Sequence, residues 1–264
     1  MDNETEKLAV LKLTETGSSS IDDVVAKEFP LTIILNNREL VTLLCSPANL
    51  RYLAVGFLFS EGLLRRKDEI KKILVDDRRG VVRVETEEDE ELASDALFKR
   101  FITSGCGRGA SFYSAIDAQD QVKVKSRVKI STLEVLALVN EFQHRSQIYR
   151  ATGGVHSVAL CDTRNIIVFS EDIGRHNAVD KIIGECVLNN ITTDDRIIIT
   201  SGRVSSEIVL KVARRNVPII ASKSAPTDLG VRLANDLGVT LVGFVRGKRM
   251  NVYTHAERMT TNGK

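Results

Sequence analysis

Two rhythms of apolar residues alternate along this chain: short runs broken by turn residues, and longer stretches in which apolar positions recur every three to four residues. The runs Leu31 to Leu35 and Glu39 to Leu44, joined by Asn36-Asn37, predict a β-hairpin. A helix is then expected from Ser46 as N-cap, with Pro47 in its first turn. It carries Leu50, Leu53, Ala54, Phe57 and Leu58 on one face and ends near Gly62. Lys72 to Asp76 and Val81 to Thr86 flank the turn Asp77-Arg78-Arg79-Gly80, and Glu85 to Glu91 reads as a solvated acidic loop. Residues 1–25, polar and serine-rich around Gly17-Ser18-Ser19-Ser20, read as a tail or edge segment.

Apolar density falls between Gln119 and Lys129, and the pattern changes beyond it. Ser131 and Glu134 make a capping box for a helix through Leu133, Leu136, Val139 and Phe142. A hairpin follows, Val155 to Cys161 and Ile166 to Phe169. Then come helix 177–190, strand 196–200, helix 205–215, strand 217–221, helix 227–237, and strands 240–245 and 250–254. Ile197-Ile198-Ile199 and Ile219-Ile220-Ala221 are continuous apolar runs, as expected of strands covered on both faces. The pattern predicts an α/β protein: an N-terminal tail (1–25), a smaller N-terminal α/β domain (26–125), a C-terminal domain built on a helix-covered mixed sheet (126–258) and a C-terminal tail (259–264).

Composition narrows the function. With 37 Lys and Arg against 35 Asp and Glu, the chain lacks the basic footprint of a nucleic-acid binder, so any anion it takes must be held locally. An acidic start, Met1-Asp2-Asn3-Glu4, and no apolar run near the roughly 18 residues of a membrane helix lead to the expectation of a soluble cytoplasmic protein. Cys45, Cys106, Cys161 and Cys186 show no C-x-x-C spacing, which signals neither a disulfide scaffold nor a zinc ribbon. Three of them sit among apolar neighbours as small core residues; Cys106 does not.

Cys106 lies in Ser104-Gly105-Cys106-Gly107-Arg108-Gly109. Alternating glycines suit neither helix nor central strand, so this is a loop, and its thiol is sterically open. Arg108 favours the thiolate, the nucleophilic form. The same residues also describe a glycine-rich turn that happens to carry a cysteine. Polar groups gather after four predicted strands as well: Glu171 to Asn177, Ser201-Gly202-Arg203, Ser222-Lys223-Ser224, and Arg246-Gly247-Lys248-Arg249. Ligands of open α/β sheets bind beyond the carboxyl ends of strands. Cations such as Arg175, Arg203 and Lys223 at helix starts oppose the helix dipole, and a bound phosphate would resolve that conflict. Taken one at a time, each segment is ordinary turn chemistry. His176 beside Arg175 is well placed for function, His156 divides evenly between core and ligand contact, and His144 and His255 read as surface residues. No zinc pattern accompanies them, since His156 is followed by Ser157-Val158 and no Pro-Cys-x-x-Cys occurs.

Six ordered motifs resemble the FdhD/NarQ family: Pro47 to Gly62, Ser104 to Gly107, Thr152 to His156, Glu171 to Gly184, Ser201 to Arg203, and Phe244 to Tyr253. The resemblance implies a formate dehydrogenase accessory sulfurtransferase. In that family a cysteine accepts sulfur as a persulfide from a cysteine desulfurase of the IscS type. The sulfur goes to the molybdenum of the bis-molybdopterin guanine dinucleotide cofactor before its insertion into formate dehydrogenase. The resemblance further implies a cytidine-deaminase-like C-terminal domain without zinc, and a homodimer. Cys106 matches the persulfide-bearing cysteine, and Phe244, Val245, Arg246, Gly247, Lys248 and Arg249 match the cofactor-binding stretch. Arg175, His176, Arg203 and Lys223 are candidate partners for the same cofactor. Many members have C-x-x-C where this chain has Gly109. The competing readings are a cofactor-binding chaperone without sulfur chemistry and a nucleoside deaminase, the latter lacking its metal ligands.

Overall fold

A computed structural model describes residues 3–87 and 123–261; Cys106 and the acidic stretch beyond Glu87 lie outside the described residues. Strands β3 (Phe29–Leu35) and β4 (Arg38–Cys45) form the expected hairpin, with Asn36 and Asn37 at φ 45° and 62°. Both central residues of such a turn need positive φ, which asparagine tolerates better than most. β5 (Ile70–Asp76) and β6 (Val81–Thr86) pair likewise, and β6 lies parallel to β3, giving a four-stranded sheet in the order β4-β3-β6-β5.

Helix α1 (Leu50–Ser60) starts later than Ser46 predicts: its N-cap is Asn49 in the left-handed conformation, with no side-chain cap. Ser46 is engaged elsewhere. Its N–H donates to Asp172 Oδ2 at 3.0 Å, and its hydroxyl accepts from the Ile173 N–H at 3.1 Å. A tertiary contact has taken the residue that local sequence marks as a cap.

Residues 3–25 are also more ordered than a tail. Thr5–Thr14 (β1) and Gly17–Ala26 (β2) form a ten-residue antiparallel ribbon, its root fixed where Lys27 N–H donates to Glu4 O at 2.9 Å. Leu8, Leu11 and Leu13 remain exposed, so the segment is outside the core as its composition predicts.

The C-terminal half has a six-stranded sheet in the order β13-β12-β11-β10-β8-β9. Its strands are β8 (His156–Cys161), β9 (Ile166–Asp172), β10 (Ile197–Thr200), β11 (Ile219–Ser222), β12 (Thr240–Arg246) and β13 (Arg249–Val252). β10, β11 and β12 are mutually parallel, and antiparallel pairs close both ends. This is the mixed α/β architecture the pattern predicts.

Helix α2 (Thr132–Arg145) carries the expected capping box: Glu134 N–H donates to Ser131 Oγ, and Ser131 N–H donates to Glu134 Oε2 at 2.7 Å. It covers one face of the large sheet, where Val135, Leu138 and Phe142 pack with Ile197, Ile199, Ile219 and Ala221. Ile198 and Ile220 point to the other face. There a second cluster runs through Ile182 and Ile183 of α4 (Arg175–Leu188) and Leu53 and Phe57 of α1 to Leu31 and Ile33 of β3. One hydrophobic core therefore spans both sheets. Among the described residues the remaining α-helices are the short α3 (Gln147–Thr152), α5 (Ser206–Ala213) and α6 (Asp228–Asp236). Met259–Thr260 (β14), expected in a tail, pairs in parallel with Ile130–Ser131 (β7). Among the described residues, no helix is long and apolar enough to cross a membrane.

Candidate functional site

β9 and β10 both run antiparallel to β8, so the carboxyl ends of β9, β10, β11 and β12 reach the edge of the sheet where β8 begins. The four polar segments that follow these strands thus share one edge. An open groove of about 1010 Å³ lies along it, lined among others by His156, Ser201, Lys223, Ser224, Arg246 and Gly247. Its far wall is α3 with the following Gly153-Gly154, and contributes Tyr149 and Arg150.

Backbone and hydroxyl pairing fixes the groove floor. Ser201 N–H donates to Ser157 O, Ser157 N–H donates to Ser201 Oγ, and Lys223 N–H donates to Thr200 O, all at 3.0–3.1 Å. Beneath α3, the Glu171 carboxylate accepts from Ile148 N–H, Tyr149 N–H and the Ser157 hydroxyl at 3.2–3.3 Å. Burial nevertheless pushes the Glu171 carboxyl above the usual carboxylate range. Glu171 thus ties the wall of the groove to its floor, beside the buried Ser146–Ser157 hydroxyl contact at 2.8 Å.

β12 is irregular where it meets the groove. Its register shifts between Gly243 and Arg246, and Phe244 sits at φ 52° with its N–H bonded to Ser224 O. A non-glycine residue in the left-handed region costs on the order of 1 kcal/mol or more and is held there by its surroundings. The bulge brings the Arg246 guanidinium 5.7 Å from the Phe244 ring and its Nε–H onto Lys223 O at 2.9 Å. Lys223 and Arg246 are thereby held together despite like charge. Burial, and after it the Arg246 charge, lower the Lys223 ammonium below the ordinary lysine range.

The structure does not gather every predicted residue in this groove. Val245 is fully buried in the core, so its side chain is turned away from any ligand. Lys248 and Arg249 are exposed on the turn and edge strand beyond Gly247. Arg175 and His176 open α4 after β9 and meet Glu207, not the groove: His176 Nε2 lies 2.9 Å from Glu207 Oε2, close but short of a well-aligned hydrogen bond. His156, evenly divided between two readings in the sequence, stands where this cluster and the groove touch. Tyr149 and Arg150 were invisible as site residues, because only the fold brings α3 over the strand ends. Cys106 lies outside the described residues. Cys45, Cys161 and Cys186 are fully buried, and burial pushes each thiol up to about 12. Among the described residues, no group of three or more His, Cys, Asp or Glu could hold a metal ion.

Comparison with known proteins gives this geometry its context. The chain is 45% identical over 241 residues to the sulfur carrier protein FdhD of Bacillus subtilis, covering 91% of this chain and 92% of that one. It is 44% identical over 237 residues to the protein of that name from Staphylococcus aureus, covering 90% and 89%. A crystal structure assigned to a formate dehydrogenase accessory protein of Desulfotalea psychrophila superposes with a TM-score of 0.81 at 28% identity, covering 97% of this chain and all of that one. The profile of the FdhD/NarQ family matches residues 26–260, from the end of the exposed ribbon to the last strand, and the chain belongs to that family.

Proposed function

We propose that this protein is a sulfur carrier that serves formate dehydrogenase. The Cys106 thiolate attacks the terminal sulfur of a cysteine desulfurase persulfide; the desulfurase S–S bond breaks, its thiolate leaves, and the new persulfide rests on Cys106. The sulfur is then delivered to the bis-molybdopterin guanine dinucleotide molybdenum cofactor, bound as cargo along the strand edge, before insertion into the dehydrogenase. The carrying observation is the groove itself, where a strained turn and a β-bulge hold Lys223 and Arg246 together against their mutual repulsion. Such an arrangement suits a diphosphate, because charge-assisted hydrogen bonds to an anion are about twice as strong as neutral ones. Three cysteines with thiols near 12 leave Cys106 as the thiol available for transfer. In this reading the C-terminal unit is of the cytidine-deaminase type, with its strand-end site given over to binding, and the protein works in the cytoplasm as a homodimer.

Mass spectrometry after incubation with a desulfurase and cysteine tests the carrier step. A gain of one sulfur on Cys106, lost in Cys106→Ala together with activation of the dehydrogenase, is the expected result; activation undiminished in that variant would overturn it. Guanosine diphosphate, as a fragment of the cargo, tests the groove: it should bind more weakly as salt rises and lose affinity in Arg246→Ala. The lost charge-assisted bond is worth about 1.5–3 kcal/mol. A second reading rests on Gly109, which stands where many family members have a second cysteine. In it the protein holds the cofactor as a chaperone and carries no covalent sulfur, and the same mass measurement then finds Cys106 unmodified.

A further inference from the structure

The β1–β2 ribbon contributes nothing to the shared core, and all but its last residue lie ahead of the stretch matched by the family profile. It is rooted on one side. The end of β2 packs against α3, and a Cβ on Gly154 would come 3.2 Å from Ala26 Cβ. Among the described residues β1 has no strand beside it except β2, so every second residue of β1 turns its N–H and C=O away from the ribbon. A two-stranded hairpin is marginal in water by itself, and a long unpaired edge is a template for another strand.

Apolar residues sit on both faces of the ribbon. Leu8, Val10, Ile21 and Val25 share one face, and Leu11, Leu13 and Val24 share the other. Leu8 is 45% exposed, and Leu11 and Leu13 are more exposed still. An arm built to lie in a groove would carry such residues on one face only. What serves both faces is the edge.

The sequence of β1 specifies its own partner. Two copies of the strand can pair antiparallel about a two-fold axis perpendicular to the ribbon, which keeps each face matched with itself. Centred on Ala9, this pairing sets Glu6 opposite Lys12 of the partner subunit, and symmetry repeats the ion pair at the other end. Leu8 then faces Val10 of the partner subunit, and Lys7 lays its stem beside Leu11 of the partner subunit. Centring on Val10 puts Lys12 opposite Leu8 and Glu6 opposite Thr14. Centring on Leu8 leaves Glu6 opposite Val10 and needs Glu4, which lies outside the strand.

We propose that β1 pairs edge to edge with β1 of a second copy of this chain, about an axis through Ala9, joining the two ribbons into one four-stranded sheet. Cross-strand opposite charges fix the register, and the sheet passes the size at which strands hold together without further support. Each hairpin tip then lies beside the root of the other ribbon. This rests on the homodimer in the proposed function and supplies its contact surface.

Sedimentation velocity on the full chain across a range of concentrations reads the dimer, and charge reversal reads the register. Lys12→Glu sets two carboxylates against each other at both ends and should raise the dissociation constant about tenfold or more. Glu6→Lys should do the same, and the two changes together should restore the wild-type value. Both side chains are exposed, so folding is not at risk. In Ala9→Cys, made in Cys106→Ala to remove the open thiol, mild oxidation should link the copies, because facing Cα atoms of an antiparallel pair lie about 4.5–5.5 Å apart, within disulfide reach. Leu11→Cys, which falls opposite Lys7, should not link. A monomer at every concentration overturns the ribbon contact and the homodimer together. A dimer of unchanged affinity in Lys12→Glu, or one that Ala9→Cys does not link, overturns the ribbon contact alone and assigns the homodimer to another face.

Discussion

Gly56 of α1 and Gly184 of α4 meet back to back where the two helices cross. A Cβ on Gly56 would fall 1.7 Å from the Asp180 carbonyl oxygen, and one on Gly184 would fall 1.9 Å from that of Tyr52. The contact brings the helix of the first sheet onto the helix behind the second, so it sets how the two halves share one core. Helix propensity alone predicts that alanine at either position adds about 1 kcal/mol of stability. Backbone overlap reverses the sign: Gly56→Ala and Gly184→Ala should each lower unfolding free energy by about 1–3 kcal/mol or more. Urea titrations decide between them, and a midpoint raised by either substitution would mean the crossing yields easily.

Alongside that crossing, Lys211 of α5 is buried against Asp180 and Glu61. Its ammonium lies 2.9 Å from both Asp180 oxygens and 3.1 Å from Glu61 Oε1, and the Ser60 hydroxyl also donates to Asp180. Burial works against the Lys211 charge, and the two carboxylates more than offset it, leaving it above the usual lysine range. Lys211→Met should cost about 3–5 kcal/mol, because it strands a buried carboxylate. Adding Asp180→Asn should recover part of that loss. A double variant as unstable as the sum of its single changes would show that the pair is not coupled.

Much of this fold is legible in the sequence where burial is one-sided or complete. The alternation of Ile197–Ile199 and Ile219–Ala221 with helices, the Ser131–Glu134 capping box and the Asn36-Asn37 turn each carry a local physical signature, and each element forms within a few residues of its predicted bounds. The β1–β2 ribbon is different: with Leu11 and Leu13 exposed opposite serines, nothing in its pattern marks an inward face. Ser46 mimics a helix cap because its true partner, Asp172, lies 126 residues away. The site divides along the same line. That Ser201, Lys223 and Arg246 share an edge follows from strand ends, whereas the split of Arg175 and His176 from the groove depends on β8 standing between β9 and β10. Strand order is a long-range fact.

The cysteines give a chemical check on this packing. Cys45 also donates a weak bond from Sγ to Phe29 O at 3.4 Å, and like Cys161 and Cys186 it is fully buried. With thiols near 12, the thiolate fraction at neutral pH is on the order of one part in 10⁵. Iodoacetamide applied to the native protein should therefore modify Cys106 alone, and the other three only after denaturant is added. Peptide mapping reads the result. Native labelling of Cys45 comparable to that of Cys106 would contradict the seal between the end of β4 and the end of β9 at Asp172.

Acid should expose the role of the Glu207–His176 contact. That contact holds the Glu207 carboxyl below its ordinary value of 4.5, with burial opposing it and Lys211 and Arg175 assisting. A carboxyl lowered by folding contributes stability that is fully present above its unfolded value and is lost as pH falls through the folded one. Glu207→Gln keeps the shape and a hydrogen-bonding oxygen but has no charge to lose. Wild type should thus be the more stable of the two at about pH 6, and the difference should shrink as pH falls below the ordinary carboxyl value of 4.5 and on through the lowered folded one. Urea midpoints for both proteins across this range make the comparison. A gap that stays constant would assign the contact to shape alone; one that widens toward acid would mean that the Glu207 carboxyl is destabilised by folding, with burial outweighing His176.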